Sequence, residues 1–123
     1  MTAPRGGLVE TLAGARRALV LRMAEIERFE DRHGGIFAAW DGFQGRAVPP
    51  TSAQVRDLVA LGLVGGGLPD TEADAVLARL GPDQLLVLFN LDRALVGVAF
   101  MPDLAEADED APDPPEDGPQ KKT

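Results

Sequence analysis

Glycine and proline cut this chain into short pieces. Breaks fall at Gly34-Gly35, Gly45, Pro49-Pro50, Gly65-Gly66-Gly67, Pro69 and Gly81-Pro82, and regular helices and strands stop at such punctuation. Each interval has room for a short strand or a few helical turns, so the chain must fold by stacking short elements. At 123 residues it is one domain with little to spare.

The segment from about Gly7 to Arg22 reads as a β-hairpin. Leu8, Val9, Thr11 and Leu12 precede Ala13-Gly14, and Ala18-Leu19-Val20-Leu21 follow it. Apolar and β-branched runs around a Gly-containing turn are what a hairpin needs, and a lone hairpin must pack on something to persist in water. A helix over about Met23–His33 comes next, with Met23, Ile26, Phe29 and His33 in one stripe and Glu25, Arg28, Asp31 and Arg32 opposite. Glu30 falls within the stripe, where a half-buried carboxylate bonded to backbone or Arg is expected. Gly34-Gly35 ends this helix. A second helix, about Ile36–Phe43, presents Ile36, Phe37, Trp40 and Phe43 and stops near Gly45.

After Pro49-Pro50, Thr51 with Gln54 three residues on forms a capping box. The third helix spans about Ser52–Val64 with Val55, Leu58, Val59 and Leu61 inward. A fourth, about Glu72–Leu80, is capped by Asp70 or Thr71 and has Val76, Leu77 and Leu80 as its apolar positions. Gly81-Pro82 opens the last helix, about Asp83–Phe100, since proline is favourable in a first turn. Here Val87, Leu88, Leu91, Leu95 and Val98 form one side. Leu85, Phe89, Val96 and Phe100 extend it, and Asp92 interrupts the arc. The apolar arc is wider than the stripe a surface helix needs. This is either the central core helix or a helix with a second apolar face kept for a partner. Asn90, Asp92 and Arg93 in its middle argue against a membrane span.

Charge separates the chain into two parts. Residues 103–123 hold eight acids and two lysines, net −6, while residues 1–102 hold twelve acids and ten arginines, net −2. The acidic, Pro-rich segment 103–123 has no aromatic residue. It cannot bury enough apolar surface to order itself and is expected to be a disordered tail on a domain of residues 1–102. The fold class expected is mainly α (α+β): an N-terminal hairpin, four to five short helices and this tail.

Several functions are disfavoured by composition. With no cysteine there is no disulfide framework, no thiolate zinc site and no thiol nucleophile. One histidine rules out a His-pair metal motif. An acidic chain without a basic block is a poor nucleic-acid ligand. Arg5, Glu10, Arg16 and Arg17 interrupt any secretory signal, so the protein reads as cytoplasmic. Gly65-Gly66-Gly67 follows a helix in a body without lysine. A phosphate loop would follow a strand and carry a lysine, so the triplet reads as a helix stop and flexible link. Glu25, Glu27, Glu30 and Asp31 alternate with Arg22, Arg28 and Arg32, the pattern of a solvated face laced with ion pairs rather than of an acid–base pair. His33 sits where it complements the helix dipole or caps a carbonyl, with no local nucleophile or orienting acid. No catalytic residue, cofactor or metal ligand is expected. Phe37, Trp40 and Phe43 fit either core anchors or the aromatic hot spot of an interface.

Four stretches in this order resemble the small tail assembly chaperones of gene transfer agents and related siphophage-like prophages. They are Leu8–Arg22 (LVETLAGARRALVLR), Phe29–Gly34 (FEDRHG), Val55–Gly66 (VRDLVALGLVGG) and the short helix, Gly break and long apolar helix within Thr71–Phe100. His33 stands where that family usually has an apolar residue, and the last helix is richer in Val and Phe than its Ala-rich counterpart. The resemblance implies a non-enzymatic factor that coats the apolar tape-measure protein until tail tube subunits replace it. The expected partner contacts are Phe37, Trp40, Phe43, Leu85, Phe89, Val96 and Phe100, with self-association possible and neither nucleic acid nor membrane as partner. A structural component retained in the tail is the nearest alternative. A small acidic, antitoxin-like adaptor is an alternative from another class.

Overall fold

The computed structural model describes residues 1–103. The order is β1 (Gly7–Leu12), β2 (Ala15–Val20), α1 (Met23–His33), α2 (Ile36–Phe43), α3 (Ser52–Gly65), α4 (Asp70–Ala78) and α5 (Leu85–Phe100), with a 3-10 turn at Pro82–Gln84 before α5. The hairpin followed by helices is the architecture expected. Of the acidic tail only Asp103 lies within the described residues. It pairs with Arg5 and ties the end of the fold to its start.

β1 and β2 pair antiparallel, with Leu12 opposite Ala15. The two-residue connection has positive φ at both positions, +50° at Ala13 and +81° at Gly14, as the right-handed strand twist demands of so short a turn. Gly14 takes this conformation freely, whereas Ala13 brings its Cβ against the backbone. Ala13→Asn is expected to raise stability by about 1 kcal/mol, read as a higher urea midpoint with unchanged slope.

α3 is the centre of the molecule. It packs against β2, α1, α4 and α5, and Val55, Leu58, Val59, Ala60, Leu61, Gly62 and Leu63 are all buried. From Leu58 to Leu63 the helix is apolar on every side, and such a stretch belongs inside. The role of central helix, which the sequence left open for α5, therefore falls to α3. α5 lies across it with a buried face of Leu88, Leu91, Asp92, Leu95 and Val96 and leaves Leu86 and Val87 outside. Val87, expected on the main apolar side, is thus on the rim.

Local chemistry explains the ends. The Thr51 hydroxyl accepts from the Gln54 N–H at 3.1 Å, and the Gln54 amide oxygen accepts from the Thr51 N–H at 2.7 Å, so the capping box forms as expected. At α4 neither Asp70 nor Thr71 is the cap. Pro69 holds that position, and Asp70 is the first helical residue, its carboxylate 3.1 Å from Arg28. An acid there complements the helix dipole without capping. The carbonyls at the other end of α4 are met by Arg56 of α3, which donates to Leu77 at 2.6 Å and Leu80 at 2.9 Å.

Two side chains of α1 are reversed from expectation. Met23 is exposed and Glu25 is buried. In the first helical turn the Arg22 N–H lacks a helical partner. Glu25 turns back to accept from it at 3.0 Å, which draws the carboxylate under the end of α3 and leaves Met23 outside. Glu30 behaves as expected, half-buried and accepting from the Ile36 N–H at 2.9 Å.

The glycine triplet is more than a helix stop. A Cβ on Gly65 would lie 1.9 Å from the Val20 carbonyl oxygen, and one on Gly66 would lie 2.0 Å from that of Ala18. The end of α3 therefore rests directly on the backbone of β2, and only residues without a side chain permit it.

Candidate functional site

α2 and α5 lie side by side and antiparallel, as their ring contacts require: Phe37 meets Phe100 at 5.6 Å between centroids, and Phe43 meets Phe89 at 5.1 Å. Trp40 meets Phe100 edge-on at 5.5 Å. Gly97 faces the Trp40 ring, where an added Cβ would make ordinary contact at 3.5 Å.

The seven expected contact residues divide by burial. Phe43 and Val96 are buried in the core, which corrects their placement on a partner surface. Phe43 ends α2 pointing inward onto Phe89, and Val96 lies on the same face of α5 as Leu88 and Leu95. Leu85, Phe89, Trp40 and Phe100 are half-buried. Phe37 is 72% exposed. The seam accordingly has a buried edge against the core and a wet edge at Phe37, Trp40 and Phe100.

The outward face of α5 continues this wet edge. Leu86, Asn90, Ala94, Gly97 and Met101 recur at three- and four-residue spacing and so share one face. Leu86 is 78% exposed, Val87 beside it 52% and Met101 44%. Leu86 rather than Leu85 is the exposed one; both sit in an unbroken apolar run, Leu85-Leu86-Val87-Leu88-Phe89, whose orientation only the packing partner decides. Arg93, exposed and within 3.4 Å of the Asn90 side-chain oxygen, is the single charge on the outside of this helix.

A second, charged cleft runs between α1, α3 and α4. Asp57 accepts from Arg32 at 2.7 Å and is bonded to His33 Nε2 at 2.9 Å. His33 therefore neither caps a carbonyl nor acts alone. It ties α1 to α3 and stacks on Phe29 at 4.9 Å, which lets a histidine occupy an otherwise apolar helix position. Arg28, Arg32, Asp57, Asp70 and Asp74 line an open space of about 250 Å³. Its arginines already face carboxylates, and among the described residues no group of three or more metal-ligating side chains forms. Asp57 carries no local sequence signal, since its partners are 24 and 25 residues away.

The core face of α5 holds a polar anomaly. Asp92 is fully buried, and among the described residues neither carboxylate oxygen has a hydrogen-bond partner. Burial alone pushes its pKa well above the usual carboxylate value, because the charged form would lose its water without compensation.

Among the described residues no helix is long and apolar enough to cross a membrane. Comparison of the chain with protein families, curated proteins and solved structures finds no match.

Proposed function

We propose that this protein is a non-enzymatic assembly chaperone of the phage-tail type, which shields apolar helices of a tape-measure protein until tail tube subunits take them over. The observation that carries the reading is the outer side of α5 and the edge of α2 beside it: Leu86 and Val87 are exposed near the start of α5, and Phe37 and Met101 at its far end beside Trp40 and Phe100, with Asn90, Arg93 and Ala94 between. Exposed apolar residues on adjoining elements mark interaction surfaces, and apolar contacts at both ends of a helix-long face suit an amphipathic helix laid along it. The element order adds support, since the hairpin, α1, α3 running into glycine, the short α4, the break at Gly81 and the long apolar α5 follow the succession that the resemblance implies.

The test is co-expression with a tape-measure protein from the same genome, followed by purification. Phe37→Glu and Leu86→Glu are expected to reduce recovery of the partner at least tenfold. Both positions are exposed, so the circular dichroism spectrum and melting temperature should stay near wild type. Undiminished recovery with both variants would remove this face as the binding surface. Stoichiometric copies in purified particles would instead favour a structural tail component.

A further inference from the structure

A buried carboxyl group with no partner at all is rare, because each unsatisfied polar group inside a protein costs as much as several good contacts return. Asp92 is such a group, and its position is specific. It lies midway along α5, on the face turned to the core, between Leu88 and Leu95–Val96, all of which are buried. Among the described residues no neighbouring element supplies a countercharge. On α3, Arg56 is held by the carbonyls of Leu77 and Leu80, and Asp57 by Arg32 and His33. On α2, Asp41 pairs with Arg46. On the hairpin, Glu10 and Arg16 are exposed and Arg17 donates to the Leu12 carbonyl. Asp83 of the 3-10 turn and Arg93 of α5 itself face solvent.

α5 follows α4 through residues 79–84, which include the 3-10 turn at Pro82–Gln84. Among the described residues no side-chain hydrogen bond or ion pair joins α5 to α3: Arg56 and Asp57 of α3 bond to the end of α4 and to α1, and Arg93 of α5 to Asn90 of its own helix. We propose that Asp92 makes α5 a releasable latch: with its carboxyl uncharged the helix is sealed on α3, and ionisation of that carboxyl parts α5 from the core. The open form hydrates Asp92 and uncovers Leu88, Leu91, Leu95 and Val96 together with the face of α3 they cover. This second apolar surface is hidden in the closed form and distinct from the outer stripe of α5. The latch does not depend on the identity of any partner.

The sign of the pH effect follows from the direction of the shift. The open form has an ordinary carboxyl group and the closed form a raised one. Opening is therefore favoured as pH rises from the ordinary carboxylate pKa towards the closed-state value, by up to about tenfold per pH unit.

Hydrogen exchange of the full chain at pH 5, 7 and 9, corrected for intrinsic exchange rates, tests this. In the wild type, amides of Leu88–Val96 should lose protection by up to about tenfold per pH unit, while those of Leu58–Leu63 in α3 stay protected by a larger factor at every pH. In Asp92→Asn, which cannot ionise, the protection of α5 should be independent of pH. Asp92→Ala, which lacks the carboxyl altogether, should show the same flat profile even if the buried amide of the Asn variant disturbs folding. The latch is overturned if α5 and α3 show equal protection factors at every pH, if α5 in the wild type shows no pH dependence, or if the variants keep the wild-type profile.

Discussion

Gly66→Ala is expected to destabilise the protein by about 3 kcal/mol or more, a large part of the roughly 5–15 kcal/mol that separates folded from unfolded domains. The added methyl carbon would sit 2.0 Å from the Ala18 carbonyl oxygen and 2.6 Å from its carbon. Real contacts of that kind do not occur, so backbone must move. β2 cannot yield easily, because it is the inner strand of the hairpin, with Leu19 and Val20 buried against the core. α3 cannot yield either without leaving β2, α1, α4 and α5 at once. Gly65→Ala meets the same obstacle at Val20 and also presses on Glu25, whose Oε1 would be 3.0 Å away. Gly97→Ala provides the contrast. Its new Cβ would make only ordinary contact with Trp40, and alanine is the better helix former by about 1 kcal/mol. Urea denaturation of the three variants should order them with Gly97→Ala at or above wild type and the other two far below. Wild-type midpoints for Gly65→Ala and Gly66→Ala would show that α3 does not rest on β2 this closely.

The glycine triplet also shows where sequence reading stops. Its local meaning, the end of a helix, is written in neighbouring residues and was legible. Its second meaning depends on Ala18 and Val20, more than forty residues upstream, and no spacing rule reaches that far. The same division holds elsewhere. The bounds of α1 and α2 were legible because Gly34-Gly35 and Gly45 bracket periodic runs, and the start of α3 because Thr51 and Gln54 satisfy each other locally. Glu25 was misplaced because a helical wheel assigns it to the polar side, while an unsatisfied N–H at the helix start pulls it in. On α5 the apolar surplus was visible, but the choice between Leu85 and Leu86, or between Phe37 and Phe43, as the outward residue depends on where α2 and α3 lie. Of the seven residues expected as partner contacts, Phe43 and Val96 lie in the core.

Asp92 was visible only as an interruption of an apolar arc, and its consequence is the other large effect expected. Asp92→Ala should stabilise the domain, an unusual outcome for truncating a buried side chain. The wild type keeps an acid without hydrogen bonds inside the core, a cost of about 1–3 kcal/mol even in its neutral form. Alanine removes that cost, leaves a void smaller than a methyl-for-leucine exchange would, and favours the helix. A further penalty on the wild type grows with pH. Because the folded-state pKa is raised, the folded protein retains a proton that the unfolded chain releases above the ordinary carboxylate pKa of about 4. Stability then falls as pH rises, by up to about 1.4 kcal/mol per unit, until the folded pKa is reached, and the loss is absent below the unfolded value. The free-energy difference between Asp92→Ala and wild type isolates it, since every other group is common to both. Urea denaturation should give a difference of about 2 kcal/mol near pH 4 that widens steadily towards neutrality. A variant less stable than wild type across the range, or a difference independent of pH, would mean that the Asp92 carboxyl has a partner in solution. In that case α5 would be fastened to the core by a polar contact as well as by its apolar face.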